Sequence, residues 1–226
     1  MTRTTNARIA GFTFLFYIAT GITSMVLTGP ATSGDGIAAK LAGIAEHATD
    51  LRIAVVLSLL MSFAALALGV TLHAITREQD PDLAMLGLTC RVLEGIAQPI
   101  PTMGLLWLAT ATEARALDTE AAHVLGEFLL KMGAWTPGAI FFAVGSTLFS
   151  WLLLRGRMIP VSLAWLGVMA SALLVVILPL QFAGLFGGPV NWRGPITWLM
   201  WLPMLVFEVT LALWLLIKGV ATPATR

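Results

Sequence analysis

Charge is what this chain has least of. Asp, Glu, Lys and Arg together make up 11% of its 226 residues, against about 25% in a soluble domain. So few charges cannot cover a water-facing surface, which excludes an ordinary soluble domain. The net charge is +1, and no basic cluster stands out, so nothing points to a nucleic-acid partner or to a polybasic lipid-binding segment. Cys90 is the only cysteine, which excludes a disulfide within the chain. A phosphate loop, HExxH, GxSxG and a cysteine pair are all missing, so the chain carries none of the motifs of those nucleotide, zinc-protease, hydrolase or redox sites. No cofactor and no catalytic residue is indicated.

What the chain has instead is apolar residues, at 58%. A bilayer is crossed by about 20 residues of helix. Six stretches reach that length, at roughly 8–28, 51–74, 83–110, 134–154, 160–180 and 196–217. They take up nearly the whole chain. The expected fold class is all-α, a polytopic bundle of six transmembrane helices in one domain over residues 1–226. Arg3 and Arg8 followed by an apolar run resemble the start of a signal peptide. The run from Ile9 to Leu27 is longer than the roughly 7–15 residues of a signal core, so it reads as a retained helix.

Orientation follows from Lys and Arg outside the spans. With the N-terminus inside, one face holds seven, Arg3, Arg8, Arg77, Arg155, Arg157, Lys218 and Arg226. The other holds five, Lys40, Arg52, Arg115, Lys131 and Arg193. This places both termini in the cytoplasm. Tryptophans fall where an aromatic belt needs them: Trp107, Trp135, Trp192 and Trp198 near outer ends, and Trp151, Trp165 and Trp214 near inner ends. Trp201 lies deeper, in span six. Two outer segments read as amphipathic helices lying on the surface or extending a span. One presents Ile37, Leu41, Ile44 and Ala48 on a single face; the other offers Val124, Leu125, Phe128 and Leu129. Gly184–Pro195 is a turn-rich outer loop. Glu and Pro occur in opposite order in spans three and six, Glu94 before Pro99 but Pro203 before Glu208. That order argues against an inverted three-plus-three repeat.

The one constellation with chemical content is intramembrane. Arg91, Glu94, Gln98 and Thr102 lie on one stripe of span three at helical spacing. A charge facing lipid is costly, so the stripe must face protein, water or a ligand. At 1.5 Å per residue, Glu94 lies ~16 Å and Glu208 ~15 Å from the inner ends of their spans, with Arg91 about one turn closer to the inside. If spans three and six touch, Arg91 can pair with either carboxylate. One guanidinium cannot compensate two carboxylates, which leaves one Glu to hold a proton or await a ligand. Pro99 and Pro101 remove the partners of the Gly95 and Ala97 carbonyls, so span three should kink beyond the stripe. Pro203 should loosen span six in the same way, and so should Pro137 in span four unless it only opens that helix. On the outer side, Glu46, His47 and Asp50 precede span two, and His123 and Glu127 precede span four. These would hold a divalent metal only if the two loops met. Surface polarity explains them equally well, and no metal site is assigned. His73 reads as an interfacial residue.

Several segments resemble one family. They are Ala7–Gly11 opening span one, Arg91-Val92-Leu93-Glu94, the run FFAVGSTLFSWLLLR from Phe141 to Arg155, Ile159-Pro160, Phe207-Glu208-Val209, and LALWLLIKGV from Leu211 to Val220. The family is the bacterial six-helix membrane family catalogued as domain of unknown function 4386. The resemblance implies a polytopic bacterial membrane protein and no reaction, cofactor or catalytic residue.

Three functions therefore stand. The first is an inner-membrane protein that binds or transports a small lipophilic or anionic ligand in a pocket around Arg91, Glu94, Gln98 and Glu208. The second is an intramembrane enzyme on a lipid or isoprenoid, with Glu94 or Glu208 as a protonated general acid. The third is an accessory protein whose ion pair only fixes packing. An apolar tunnel from the lipid favours the second, a polar path to both faces the first, and a filled core the third.

Overall fold

The computed structural model describes residues 1–113, 118–134, 137–186 and 195–222. Trp135, Trp192, Arg115, Arg193, Arg226 and most of the Gly184–Pro195 loop lie outside the described residues.

The first helix, α1 (Arg3–Ala31), starts where the Thr2 hydroxyl accepts from the Thr5 amide and so caps its first turn. A short amphipathic helix α2 (Gly36–Glu46) precedes α3 (Ala48–Thr76). Next comes α4 (Pro81–Ala97), where Asp80 caps the Leu83 amide and Pro81 supplies a first residue that needs no partner. Span three breaks at Gln98–Pro99 and resumes as α5 (Ile100–Glu113), where Pro99 and Pro101 demand it. A second amphipathic helix α6 (Thr119–Ala134) leads to α7 (Pro137–Arg155), which Pro137 opens as its first residue. The chain ends in α8 (Val161–Phe182) and α9 (Pro195–Ile217). Helix α9 continues through Pro203.

Six stretches are long and apolar enough to cross a membrane: Arg3–Ala31, Ala48–Thr76, Pro81–Thr112, Gly138–Arg155, Val161–Phe182 and Pro195–Ile217. These are the six spans legible in the sequence, and the molecule is an all-α, multi-pass membrane protein. Each span packs on the next, and α9 returns against α1, which closes a ring α1–α3–α4–α7–α8–α9. Beyond its break, α5 packs on α6, α3 and α2 instead. There Leu41, Ile44, Leu51, Leu108 and Leu129 form a second apolar cluster, at the end of the bundle away from the N-terminus. The α2 stripe faces inward. The α6 stripe does not: Leu125 and Leu129 pack inward with Ala122, while Val124 and Phe128 are exposed. A helix with apolar residues on more than one face can satisfy the outer cluster with one stripe and leave the other to lipid.

At the opposite end, Arg3 pairs with Glu78 at 2.7 Å and Arg155 with Asp80 at 3.2 Å. The Ala221 amide donates to the Met158 carbonyl. The start of α1, both short turns and the segment after α9 thus share one end of the bundle.

In lipid, helices are held by close packing more than by hydrophobic burial. Gly11 illustrates this, since a Cβ there would lie 2.6 Å from the Ala212 carbonyl oxygen of α9. That contact is what lets α9 close the ring on α1.

Candidate functional site

Arg91 is drawn into the bundle by small neighbours. A Cβ on Gly69 of α3 would stand 2.9 Å from the Arg91 Cβ, and one on Gly145 of α7 would stand 3.1 Å from the Cys90 Cβ. Helix α4 therefore sits tightly between α3 and α7, and the Arg91 side chain lies in the interior, 1% exposed.

Its guanidinium is well partnered. One terminal nitrogen donates to Glu94 Oε2 at 2.9 Å and the other to Ser146 Oγ on α7 at 2.9 Å. The carbon at the centre of the guanidinium lies 4.9 Å from the Phe142 ring centroid, a cation–π contact on the same α7 face. Phe142 in turn meets Trp201 of α9 at 5.7 Å between centroids. Of the three guanidinium nitrogens, Nε alone has no hydrogen-bond partner among the described residues.

Glu94 is held from two sides. Oε2 takes the guanidinium, and Oε1 accepts from the Tyr17 hydroxyl of α1 at 2.7 Å. Tyr17 is the chain's single tyrosine, and the sequence reading passed over it. Its depth is the signal that could have found it, since a tyrosine in the middle of a span lies far from the interfacial belt where tyrosine usually anchors. Ser146 was passed over too, because a neutral hydroxyl in a helix usually bonds its own backbone.

Glu208 stands apart. It is 5% exposed, yet it makes no hydrogen bond and no ion pair among the described residues, and its Oε1 is fully buried. Arg91 makes its ion pair with Glu94 and not with Glu208. The reason is architectural. Helix α9 packs on α1 and α8 while α4 packs on α3 and α7, so spans three and six stand on opposite sides of the ring. Gln98 is half-buried. Its Oε1 faces Gly138 of α7, and its side chain bonds neither Arg91 nor a glutamate among the described residues.

The interior here is almost filled. A cleft of about 10 Å³ lies beside Arg91, lined also by Ser146, Ser150, Phe149 and Phe207. That is room for about one water. The interior therefore holds one guanidinium and two carboxylates, Arg91, Glu94 and Glu208, in a tightly packed space. Counting formal charges, it carries one negative charge too many unless a proton or a cation is bound.

Three of the candidate metal-site residues are engaged locally, His47, Asp50 and Glu127. His47 Nδ1 and Asp50 Oδ2 are 2.9 Å apart, and Lys131 reaches Glu127 at 3.2 Å. Among the described residues no three such groups gather around one point.

Residues 9–219 match a family described as Domain of unknown function (DUF4386). No curated protein and no solved structure matches the chain.

Proposed function

The chain belongs to the DUF4386 family, a description that carries no reaction, and we propose its function from the site alone: proton handling inside the membrane. Glu208 is the group that takes up and gives up the proton. The Arg91–Glu94–Tyr17–Ser146 network is its fixed electrostatic frame. The observation that carries this reading is a 5% exposed carboxyl group on a membrane span with no partner among the described residues. An isolated buried charge costs many kcal/mol, and such a group ordinarily neutralises itself instead.

The small lipophilic or anionic ligand suggested by the sequence has no room in a 10 Å³ cleft, whereas a proton needs none. Binding and release of such a solute around Arg91, Glu94, Gln98 and Glu208 belong to a conformation in which the ring has opened. Proton binding at Glu208 would then bias the bundle between open and closed forms, since it changes the charge inside by one unit. The Lys and Arg asymmetry supports an orientation with both termini cytoplasmic, in a bacterial inner membrane.

A purely structural reading has one observation in its favour. Arg91 is sealed and nearly satisfied, as a packing device would be. Such a device has no use for an unpartnered Glu208, which leucine would replace without cost. Proteoliposomes containing a pH dye test the proposal. Under an imposed membrane potential, the wild type should move protons faster than Glu208→Gln. Equal rates for the two proteins would contradict it.

A further inference from the structure

A second site lies far from the buried network, at the end of the bundle that holds the N-terminus. There the turn between α7 and α8 carries Arg155 and Arg157, and Trp151 and Trp165 flank it. Together with Leu154 and Val161 they line an open groove of about 480 Å³. From the structure we infer that this groove holds the phosphate of an anionic phospholipid from the adjoining leaflet.

The turn itself is the first argument. Helix α7 ends as the Arg157 amide bonds the Leu154 carbonyl and the Met158 amide bonds the Leu153 carbonyl. This closure puts Arg157 at φ 48, in the left-handed region. Glycine is the usual residue there because a side chain strains the backbone. An arginine is held there instead. Met158 and Ile159 are buried just after it, and the Ala221 amide clamps the Met158 carbonyl. A strained backbone kept in place by its surroundings marks a position where the side chain is used.

Charge is the second argument. Arg155 is already engaged by Asp80 at 3.2 Å, whereas the Arg157 side chain has no ion pair or hydrogen bond among the described residues. The groove thus offers one uncommitted guanidinium and a second half-neutralised one. That suits a monoanionic phosphodiester, which a guanidinium grips with paired hydrogen bonds. The third argument is location. Trp151 and Trp165 are each more than two-fifths exposed, at the inner ends of spans four and five, where indoles meet headgroups. Basic pockets between helices at this level are suited to lipid headgroups.

The test is lipid retention by the intact protein in a native mass spectrum, after reconstitution with phosphatidylglycerol or with phosphatidylcholine. The wild type should keep phosphatidylglycerol in preference to phosphatidylcholine. Arg157→Gly removes the cation while relieving the backbone, so it should fold at least as well and lose retention about fivefold, the value of one surface cation near a membrane. Should that variant fold poorly, Arg157→Asn, which also tolerates the left-handed region, decides the matter by the same loss. Asp80→Asn keeps the α4 cap but frees Arg155, and should raise retention. Unchanged phosphatidylglycerol retention in the Arg157 variants would overturn the inference, as would equal retention of phosphatidylcholine by the wild type. Displacement of the lipid by an equal concentration of inorganic phosphate would also overturn it, since the site would then serve a soluble anion.

Discussion

Replacing Arg91 with methionine should cost more than replacing Arg91 and Glu94 together. In the native bundle the two side chains are each 1% exposed and 2.9 Å apart. Arg91→Met removes the guanidinium but leaves Glu94 buried, with the Tyr17 hydroxyl as its only donor. Removing one member of a buried pair costs about 3–5 kcal/mol, because the surviving charge is uncompensated. Proton uptake by Glu94 would return part of that. In the double variant Arg91→Met with Glu94→Gln, no charge is stranded, and the glutamine oxygen can still accept from Tyr17. What remains lost is the bond to Ser146, about 1 kcal/mol, and the contact with Phe142, about 2 kcal/mol at most for a desolvated cation. Both variants share these two losses, so the difference between them isolates the stranded carboxylate. It should favour the double variant by roughly 2 kcal/mol or more. Methionine suits the test because it is unbranched and adapts to irregular space. Chemical unfolding of the three proteins in one detergent measures the difference. Equal stability of the single and double variants would refute the reasoning, because it would mean that Glu94 does not rely on Arg91.

Other expectations are as direct. Tyr17→Phe should destabilise by about 1.5–3 kcal/mol, the range for a hydrogen bond to a charged group, and a wild-type melting curve would remove Tyr17 from the network. Gly69→Ala places a methyl 2.9 Å from both the Arg91 Cβ and Leu88 Cδ1, so α3 and α4 must separate. About 1–3 kcal/mol of stability should be lost by overpacking, and an unaltered unfolding midpoint would show that the helices give freely. Reporter fusions at the C-terminus should be active only on the cytoplasmic side; periplasmic activity would reverse the assigned orientation.

The spans were legible because nothing but a membrane helix uses twenty apolar residues in a row. The break in span three was legible for an equally local reason, the missing amides of Pro99 and Pro101. Arg91 and Glu94 could be paired from their spacing alone, since residues three apart share a helical face. What spacing along one helix could not supply was which helices meet. Tyr17, Ser146 and Phe142 join the network from α1 and α7, and the ring order that brings them there comes from packing around Gly11, Gly69 and Gly145. The same ignorance left the pairing of spans three and six open, and the ring puts them on opposite sides, α4 between α3 and α7 and α9 between α1 and α8. At Pro203, unlike at Pro99, the chain stays helical and α9 runs on through it. Helix α6 carries two apolar stripes, and packing against α2 and α5 selects which of them turns inward.

The protonation state of Glu208 tests the account most directly. An infrared spectrum of the purified protein in deuterated buffer reports the C=O stretch of a carboxylic acid separately from that of a carboxylate. The account predicts an acid band in the wild type that disappears in Glu208→Gln and persists in Glu94→Gln. An unchanged acid band in Glu208→Gln, or a wild type without one, would contradict the claim that this buried carboxyl carries the proton.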